Sequence, residues 1–146
     1  MTDVPVKRVR PGAHLPVYGS AEAAGADLCA CLDGPVTIEA GQTVMIPTGV
    51  AVQIPRGYAG LVYARSGLAA KRHLAPANKV GVIDSDYRGE IFVPIHNHGQ
   101  TPQTLEDGER MAQMILTPYL TANFLETDEL TDTARGENGF GSTGRK

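Results

Sequence analysis

The sequence contains no tryptophan, few aromatic residues and only two cysteines, Cys29 and Cys31. One residue separates the two thiols, which is too close for an easy disulfide, so we expect buried free thiols in a reducing compartment. No apolar run approaches the ~20 residues that span a membrane, and no N-terminal apolar run is typical of a signal peptide. These absences favour a soluble cytoplasmic protein that makes no membrane contact.

An excess of positive charge is also absent. The formal net charge is −3 at pH 7 and the isoelectric point is about 5.8, so the chain has no general electrostatic attraction to nucleic acid. Its 146 residues fit one domain, and a hydrophobic content of 42% is enough for a packed core.

Long segments free of glycine and proline are missing from the first two-thirds of the chain. Between Gly19 and Gly108 no such segment exceeds eight residues, whereas an ordinary helix runs about 8–20 residues. Short strands joined by turns are therefore expected there. A single short helix is predicted over Leu68–Leu74, after Ser66-Gly67.

The apolar residues alternate with the period of half-buried strands. Val50, Val52 and Ile54 lie on one face of such a strand, and a second strand is predicted over Gly89–Asn97. Pro94 lacks an amide donor, so this second strand is expected at a sheet edge or a bulge. About ten such strands predict an all-β, jelly-roll-like barrel.

Three polar segments are candidates for chemistry, and the first runs from Gly81 to Glu90. One interpretation is a β-hairpin with a solvated acidic tip. The other is functional, because Asp84 follows the apolar pair Val82-Ile83, where a partly desolvated carboxylate can act as a general base. Tyr87 would then offer a flat face to a ring.

The second and third segments are Arg65-Ser66-Gly67 and the glycine-rich tail from Arg135 to Gly144. The first is either a helix capped by Ser66 or an anion site made by an arginine and free amides. The tail is either a disordered terminus or a loop whose backbone approaches phosphate oxygens, and it lacks the ending of a Walker A sequence. Phe140 within it suggests something for the tail to cover.

His96 and His98 would place two imidazoles on one face of a strand. Without a clear third ligand nearby, surface histidines are favoured over a metal site.

Taken together, the segments resemble the homotrimeric dUTP pyrophosphatases (dUTPases). Five blocks match that family in order over nearly the whole chain: Ala24–Leu28, Arg65–Ala69, Asn78–Glu90, Gly108–Gln113 and Arg135–Gly144.

The resemblance implies hydrolysis of dUTP to dUMP and pyrophosphate, which limits uracil incorporation into DNA and supplies dUMP for thymidylate synthesis. It implies that Asp84 activates the water that attacks the α-phosphorus, and that Tyr87 stacks under the deoxyribose and refuses a 2′-hydroxyl. The uracil edge would be bound by the backbone around Asn78, Val82, Ile83 and Phe92, and the triphosphate by Arg65, Ser66, Gly67 and Gln113.

The resemblance further implies a Mg²⁺ ion held mainly by substrate phosphates, with Asp27 near the ion and its waters. It implies a trimer with active sites at subunit interfaces, a barrel over residues 1–134, and a mobile arm over residues 135–146. This arm would close from a neighbouring subunit. Its expected ligands are Arg135, Phe140, Gly141, Ser142 and Thr143.

Two other functions stay open at this point. A dCTP deaminase resembles the dUTPases in fold but is usually longer, and it must aim a carboxylate and water at the pyrimidine 4-position. A non-catalytic nucleotide sensor on the same barrel would be expected to lose Asp84 or the arm, and this chain has both.

Overall fold

A computed structural model describes residues 2–139. These residues form twelve short strands and one helix: β1 (Val6–Arg8), β2 (Val17–Tyr18), β3 (Ala26–Cys29), β4 (Val36–Ile38), β5 (Thr43–Pro47), β6 (Val50–Val52), β7 (Tyr58–Ala64), α1 (Ser66–Arg72), β8 (Leu74–Pro76), β9 (Gly81–Ile83), β10 (Phe92–Asn97), β11 (Gln103–Leu105) and β12 (Arg110–Pro118).

All strand pairs are antiparallel, and most join strands that are distant in sequence. The largest sheet has the order β2-β3-β12-β7-β9, and a second has the order β5-β10-β8. Two-stranded sheets pair β1 with β6 and β4 with β11. This arrangement confirms the predicted all-β, jelly-roll-like fold with one short helix.

The core is aliphatic, and its buried polar groups have partners. Ile38, Ile46 and Leu105 are fully buried between the sheets. The buried Asn97 donates through Nδ2 to the carbonyl oxygens of Ile38 and Thr101, at 2.9 and 2.8 Å. Satisfied polar groups of this kind avoid the desolvation cost of an unpaired one.

Both cysteines are buried and free, which confirms the expectation for the thiols. Burial raises the pKa of Cys29 and of Cys31, so both stay protonated near neutral pH. Within the described part of the chain, no helix has the length and hydropathy needed to cross a membrane.

The helix starts earlier than predicted, at Ser66 and not at Leu68. Arg65 is the cap residue, with extended backbone and no capping bond from a side chain, so the interpretation of Ser66 as a helix cap is wrong. The helix ends at Arg72 because His73 adopts a left-handed conformation, with φ of 56°, and its amide donates to the carbonyl of Ala69.

Two expectations about strand pairing are also wrong. The strands β9 and β10 do not form a hairpin, since β9 pairs with β7 whereas β10 pairs with β5 and β8. Pro94 lies in a central strand and not in an edge strand. Proline is tolerated there because β8 ends at Pro76, opposite Ile95, so no residue of β8 pairs with Pro94 on that side. The carbonyl of Pro94 accepts a hydrogen bond from the amide of Ala77 at 2.7 Å, and no amide donor is needed in return.

Candidate active site

A cavity of about 330 Å³ lies where edge strand β9 of the large sheet faces β5 and β10 of the second sheet. We call it the β9–β10 cavity. Four of the predicted site residues besides Asp84 line it. Its lining is Met45, Val82, Ile83, Asp84, Tyr87, Glu90, Ile91 and Phe92.

The cavity is largely apolar and open to solvent. Val82 is 62% exposed, and Met45 and Phe92 are also exposed although they are large and apolar. A concave apolar surface with a few polar groups is typical of a small-molecule site. The cavity therefore offers flat, apolar contact to a ring.

The turn that follows β9 is held by its own hydrogen bonds. The amide of Tyr87 donates to the carbonyl of Asp84 at 3.2 Å, and the Tyr87 hydroxyl donates to the carbonyl of Glu90 at 2.8 Å. Arg88 donates through Nη1 to the carbonyls of Ser85 and Tyr87, at 2.7 and 2.9 Å. The ring of Tyr87 is thus fixed at both ends, by its main chain and by its hydroxyl.

Gly89 is required by the position of this ring. A Cβ atom at Gly89 would lie 2.6 Å from Cζ of Tyr87, which real Cβ atoms essentially never do. The ring therefore folds back over a residue that has no side chain.

Asp84 stands directly after β9 and is exposed in the single chain. This differs from the expected partial desolvation, because β9 is an edge strand and leaves its end open to solvent. Asp84 also borders a polar depression that contains Arg56, Asp86 and Arg88.

Asn78 does not line the β9–β10 cavity. It precedes β9, and its Nδ2 lies 3.1 Å from the position that a Cβ on Gly81 would occupy. The structure therefore brings Val82, Ile83 and Phe92 together and places Asn78 beyond the other end of β9.

A second, charged pocket of about 240 Å³ contains Asp27, Arg65, Ser66, Gly67, Arg110 and Gln113, with Gly19, Ala23 and Gly25. We call it the Arg65 pocket. It combines five predicted residues, namely Asp27, Arg65, Ser66, Gly67 and Gln113, with Arg110.

The charges in the Arg65 pocket are paired. Arg65 donates through Nε to Oδ1 of Asp27 at 2.7 Å, and Arg110 donates through Nη1 to Oδ2 at 3.2 Å. The Asp27 side chain is only 11% exposed, whereas that of Arg110 is 58% exposed. One buried carboxylate therefore holds two guanidinium groups at the mouth of a pocket that keeps a net positive charge.

Gln113 is held in place by a hydrogen bond and by close contact with a glycine. Its Nε2 donates to the carbonyl of Ala64 at 2.9 Å. Gly25 makes room for it, since a Cβ at Gly25 would lie 2.6 Å from Oε1 of Gln113. Cationic groups and amide donors in this arrangement suit an anion such as phosphate.

Sequence reasoning missed Arg110 as a site residue, although it lies in the Gly108–Gln113 block. Its partner Asp27 is distant in sequence and reaches it only through the pairing of β3 with β12, where Gln113 stands opposite Asp27. An arginine three residues before Gln113 in that block was the available signal.

The two pockets lie at opposite ends of β7. Ile83 pairs with Gly60, so Asp84 is level with Ala59, and Arg65 lies just past the other end of the strand. Six residues at about 3.3 Å each give a separation of roughly 20 Å along the strand. A single chain therefore does not bring Asp84 next to Arg65.

The C-terminal part of the predicted site is only partly described. Arg135 is exposed, donates through Nε to the carbonyl of Asn138 at 2.9 Å, and lines neither pocket. Phe140, Gly141, Ser142 and Thr143 lie outside the described residues.

His96 and His98 are neighbours, with ring centroids 4.4 Å apart, and Nδ1 of His96 bonds to Oγ1 of Thr43 at 2.8 Å. Partial burial and the nearby His96 lower the pKa of His98. Over residues 2–139, no three histidine, cysteine, aspartate or glutamate side chains converge to hold a metal.

The chain matches the family model described as dUTPase over residues 12–144. It is 54% identical over 131 residues to the deoxyuridine 5′-triphosphate nucleotidohydrolase of Desulfitobacterium hafniense, covering 89% of this chain and 87% of the relative. It is 46% identical over 144 residues to the enzyme of that name from Burkholderia cenocepacia, covering 98% and 97%.

Solved structures agree with the sequence comparisons. The dUTPase of Staphylococcus bacteriophage 80alpha, solved with dUPNHPP, superposes with a TM-score of 0.90 at 29% identity and 99% coverage of both chains. A G164S mutant of that phage enzyme, solved with dUpNHpp, gives a TM-score of 0.89 at 28% identity, again with 99% coverage of both chains. Sequence family and fold thus coincide over nearly the full length, and the chain belongs to the dUTPase family.

Proposed function

We propose that this chain hydrolyses dUTP to dUMP and pyrophosphate. The observation that carries the proposal is the β9–β10 cavity, which places Asp84 and Tyr87 on one apolar surface in a chain of the dUTPase family. Such an activity limits uracil incorporation into DNA and supplies dUMP for thymidylate synthesis.

Asp84 is the proposed general base. Its carboxylate takes a proton from a water molecule, whose oxygen attacks the α-phosphorus, and the bond from that phosphorus to the departing pyrophosphate oxygen breaks. Phosphoryl transfer needs positioning and charge stabilisation more than covalent chemistry, so one well-placed carboxylate is sufficient.

Tyr87 is the proposed discriminator between deoxyribose and ribose. Its ring is fixed by the hydroxyl bond to Glu90 and by Gly89 beneath it, so it cannot easily withdraw from a 2′-hydroxyl. The uracil would lie against Val82, Ile83 and Phe92, with backbone groups of this region and of Asn78 on its edge. A methyl group at the 5-position would clash there, which excludes dTTP.

The triphosphate is proposed to occupy the Arg65 pocket. Arg65, Ser66, Gly67 and Gln113 would contact its oxygens, and Arg110 joins them because it shares the Asp27 carboxylate with Arg65. Asp27 thereby orients the two cations and neutralises one of them.

The residues present fit a Mg²⁺ ion that the substrate carries. Mg²⁺ prefers oxygen ligands and keeps several waters, and it neutralises phosphate charge when bound. Both Asp27 oxygens already accept bonds from arginines, so Asp27 suits contact with the ion through water and not a direct bond.

The separation of the pockets supports a site shared between chains. Three consecutive phosphates span far less than the roughly 20 Å between Asp84 and Arg65, and a general base must lie within hydrogen-bond reach of its water. We therefore propose that Asp84 of one chain and Arg65 of another serve the same nucleotide in a homotrimer.

The segment after β12 supports the same assembly. Its apolar residues include Leu120, Phe124 and Leu130, which are 98%, 91% and 88% exposed. Large apolar side chains exposed along one segment are candidates for burial against a neighbouring chain. In this proposal residues 1–134 form the barrel domain, and residues 135–146 form an arm that closes from a neighbouring subunit, with Phe140 over the uracil and Arg135, Gly141, Ser142 and Thr143 near the nucleotide.

A substrate panel tests the proposal. We expect pyrophosphate release from dUTP in the presence of Mg²⁺, and little from UTP, dTTP or dCTP. Ammonia release from dCTP would indicate the deaminase, and binding without turnover would indicate a sensor. Sedimentation should give a trimer, and a monomer would contradict the shared site.

A further inference from the structure

An ion pair joins Glu90, in the lining of the β9–β10 cavity, to Arg10, which lies outside that lining. Arg10 donates through Nε to Oε1 of Glu90 at 2.7 Å, and the amide of Gly49 donates to the same oxygen at 2.9 Å. The Glu90 side chain is 13% exposed, whereas that of Arg10 is 42% exposed. A nearly buried carboxylate thus depends on two donors from segments distant in sequence.

The pair touches both aromatic walls of the cavity. The guanidinium carbon of Arg10 lies 5.8 Å from the ring centroid of Phe92, within the range of a cation–π contact. On the other side, the main-chain carbonyl of Glu90 accepts the hydroxyl of Tyr87. Arg10 therefore contacts one wall directly and reaches the other through Glu90.

The anchoring around Glu90 is rigid on its inner side. The amide of Val9 donates to the carbonyl of Gly49 at 2.8 Å, and the amide of Ile91 donates to the carbonyl of Val50 at 2.9 Å. The Glu90 carboxylate raises the pKa of Arg10, so the cation persists at every pH at which the enzyme would be assayed. The N-terminal segment is tied in this way to the residues that carry the cavity walls.

We propose that Arg10 and Glu90 form a positioning pair that sets nucleotide selectivity, by holding Tyr87 and Phe92 at the spacing that admits a deoxyuridine and refuses its ribose counterpart. The inference rests on the proposed function, because it takes the nucleotide to lie against Tyr87. Neither residue needs to touch the substrate, and neither is a catalytic residue.

The test compares Arg10→Met with Arg8→Met in the full-length protein. Arg8 lies two residues away and donates to the carbonyl of Ala13 at 2.9 Å, so its variant makes the same change of charge in the same segment without touching the pair. We expect the ratio of kcat/KM for dUTP to kcat/KM for UTP to fall about three- to tenfold in Arg10→Met. The main cause would be a higher KM for dUTP. The effect is of this size because a half-exposed ion pair and one cation–π contact each contribute modestly. Arg8→Met should keep the wild-type ratio, and Arg10→Lys should recover part of it.

A second variant and a binding measurement keep the test decisive if Arg10→Met does not fold. Glu90→Gln keeps an acceptor for Gly49 but removes the charge, and it should lower selectivity in the same direction. The inhibition constants of dUMP and of UMP, measured as competitors of dUTP, should move closer together in both variants. Equal ratios in Arg10→Met and Arg8→Met, or an unchanged ratio in Glu90→Gln, would overturn the pair's role. Absence of dUTP turnover in the wild-type protein would instead remove the proposed function itself.

Discussion

The β9–β10 cavity and the Arg65 pocket stand at the two ends of one strand, and they are built in opposite ways. The cavity presents large apolar side chains that remain partly exposed, and Asp84 at its rim is open to solvent. The pocket packs a buried carboxylate between two guanidinium groups and wedges Gln113 against Gly25. Over residues 2–139, the charged groups of the pocket pair with each other within one chain, whereas the apolar side chains of the cavity stay open to solvent.

This contrast follows from the position of each pocket in the large sheet. The Arg65 pocket lies over β3 and β12, which have partners on both sides, so its side chains are fixed by neighbouring strands. The cavity borders β9, an edge strand that pairs with β7 on one side and, within the described chain, leaves the backbone groups of its other side free to bind another segment. An edge is where a second chain can complete a site.

The first prediction removes Asp84, the proposed general base at the rim of the apolar cavity. Asp84→Asn should lower turnover of dUTP by about 10²–10⁴-fold, the usual contribution of a general base, while the fold and nucleotide binding persist because the side chain is exposed. Asp86→Asn, two residues further in the same turn, is the matched control and should stay close to wild type. Steady-state kinetics and thermal unfolding measure both, and near-normal turnover in Asp84→Asn would eliminate it as the base.

The second prediction removes the proposed cover. A chain that stops at residue 134 should fold and assemble like the full protein but lose about 10²-fold in activity, because an open site admits water and leaves the nucleotide less well oriented. Removing only residues 145 and 146, which lie beyond the matched block, is the control and should have little effect. Kinetics with sedimentation distinguish the outcomes, and failure of the 134-residue chain to fold would make the arm structural.

The third prediction uses the distance between the two pockets. Arg65→Gln and Asp84→Asn should each be inactive alone, yet oligomers formed from an equal mixture should regain about a quarter of wild-type turnover. In randomly mixed trimers, about one site in four combines an intact Asp84 from one chain with an intact Arg65 from another. Mixing Asp84→Asn with the double variant is the control and should stay inactive. Mixed oligomers without activity would mean that one chain supplies both halves.

The fourth prediction disturbs the cavity wall with the smallest change available. Gly89→Ala should displace the ring of Tyr87 and lower kcat/KM for dUTP roughly three- to tenfold, because the new methyl group overlaps the ring. Gly34→Ala, where a Cβ would meet nothing within 4 Å, is the control. Equal kinetics in the two variants would show that the position of the ring does not matter.

The sequence predicts local structure better than strand partners. Glycine and proline spacing correctly exclude long helices over most of the chain, and alternation identifies the strands, since both depend on neighbouring residues. The pairing of β9 with β7 in place of β10 is set by contacts between distant segments, and a period of two reveals only which face a residue occupies. Pro94 in a central strand is tolerated for a reason of the same kind, the length of β8.

The same difference between local features and contacts of distant segments applies to the candidate site. Asp84, Tyr87 and Phe92 line one cavity, and each lies in or beside a recognisable block of sequence. The role of Arg110 depends on Asp27, which lies in another strand, and the Arg10–Glu90 pair joins segments 80 residues apart. Neither pairing leaves a signature in composition or spacing, and the only local signal was the place of Arg110 three residues before Gln113 in its block.

The exposed segment after β12 has a consequence for the lifetime of the protein. In the single chain, Leu120, Phe124 and Leu130 lie exposed in a segment without helix or strand, and exposed irregular segments are preferred sites of proteolysis. Burial against a neighbour would remove the same segment from the reach of proteases. In the proposed trimer, an assembled chain would therefore resist cleavage in this segment better than a single chain.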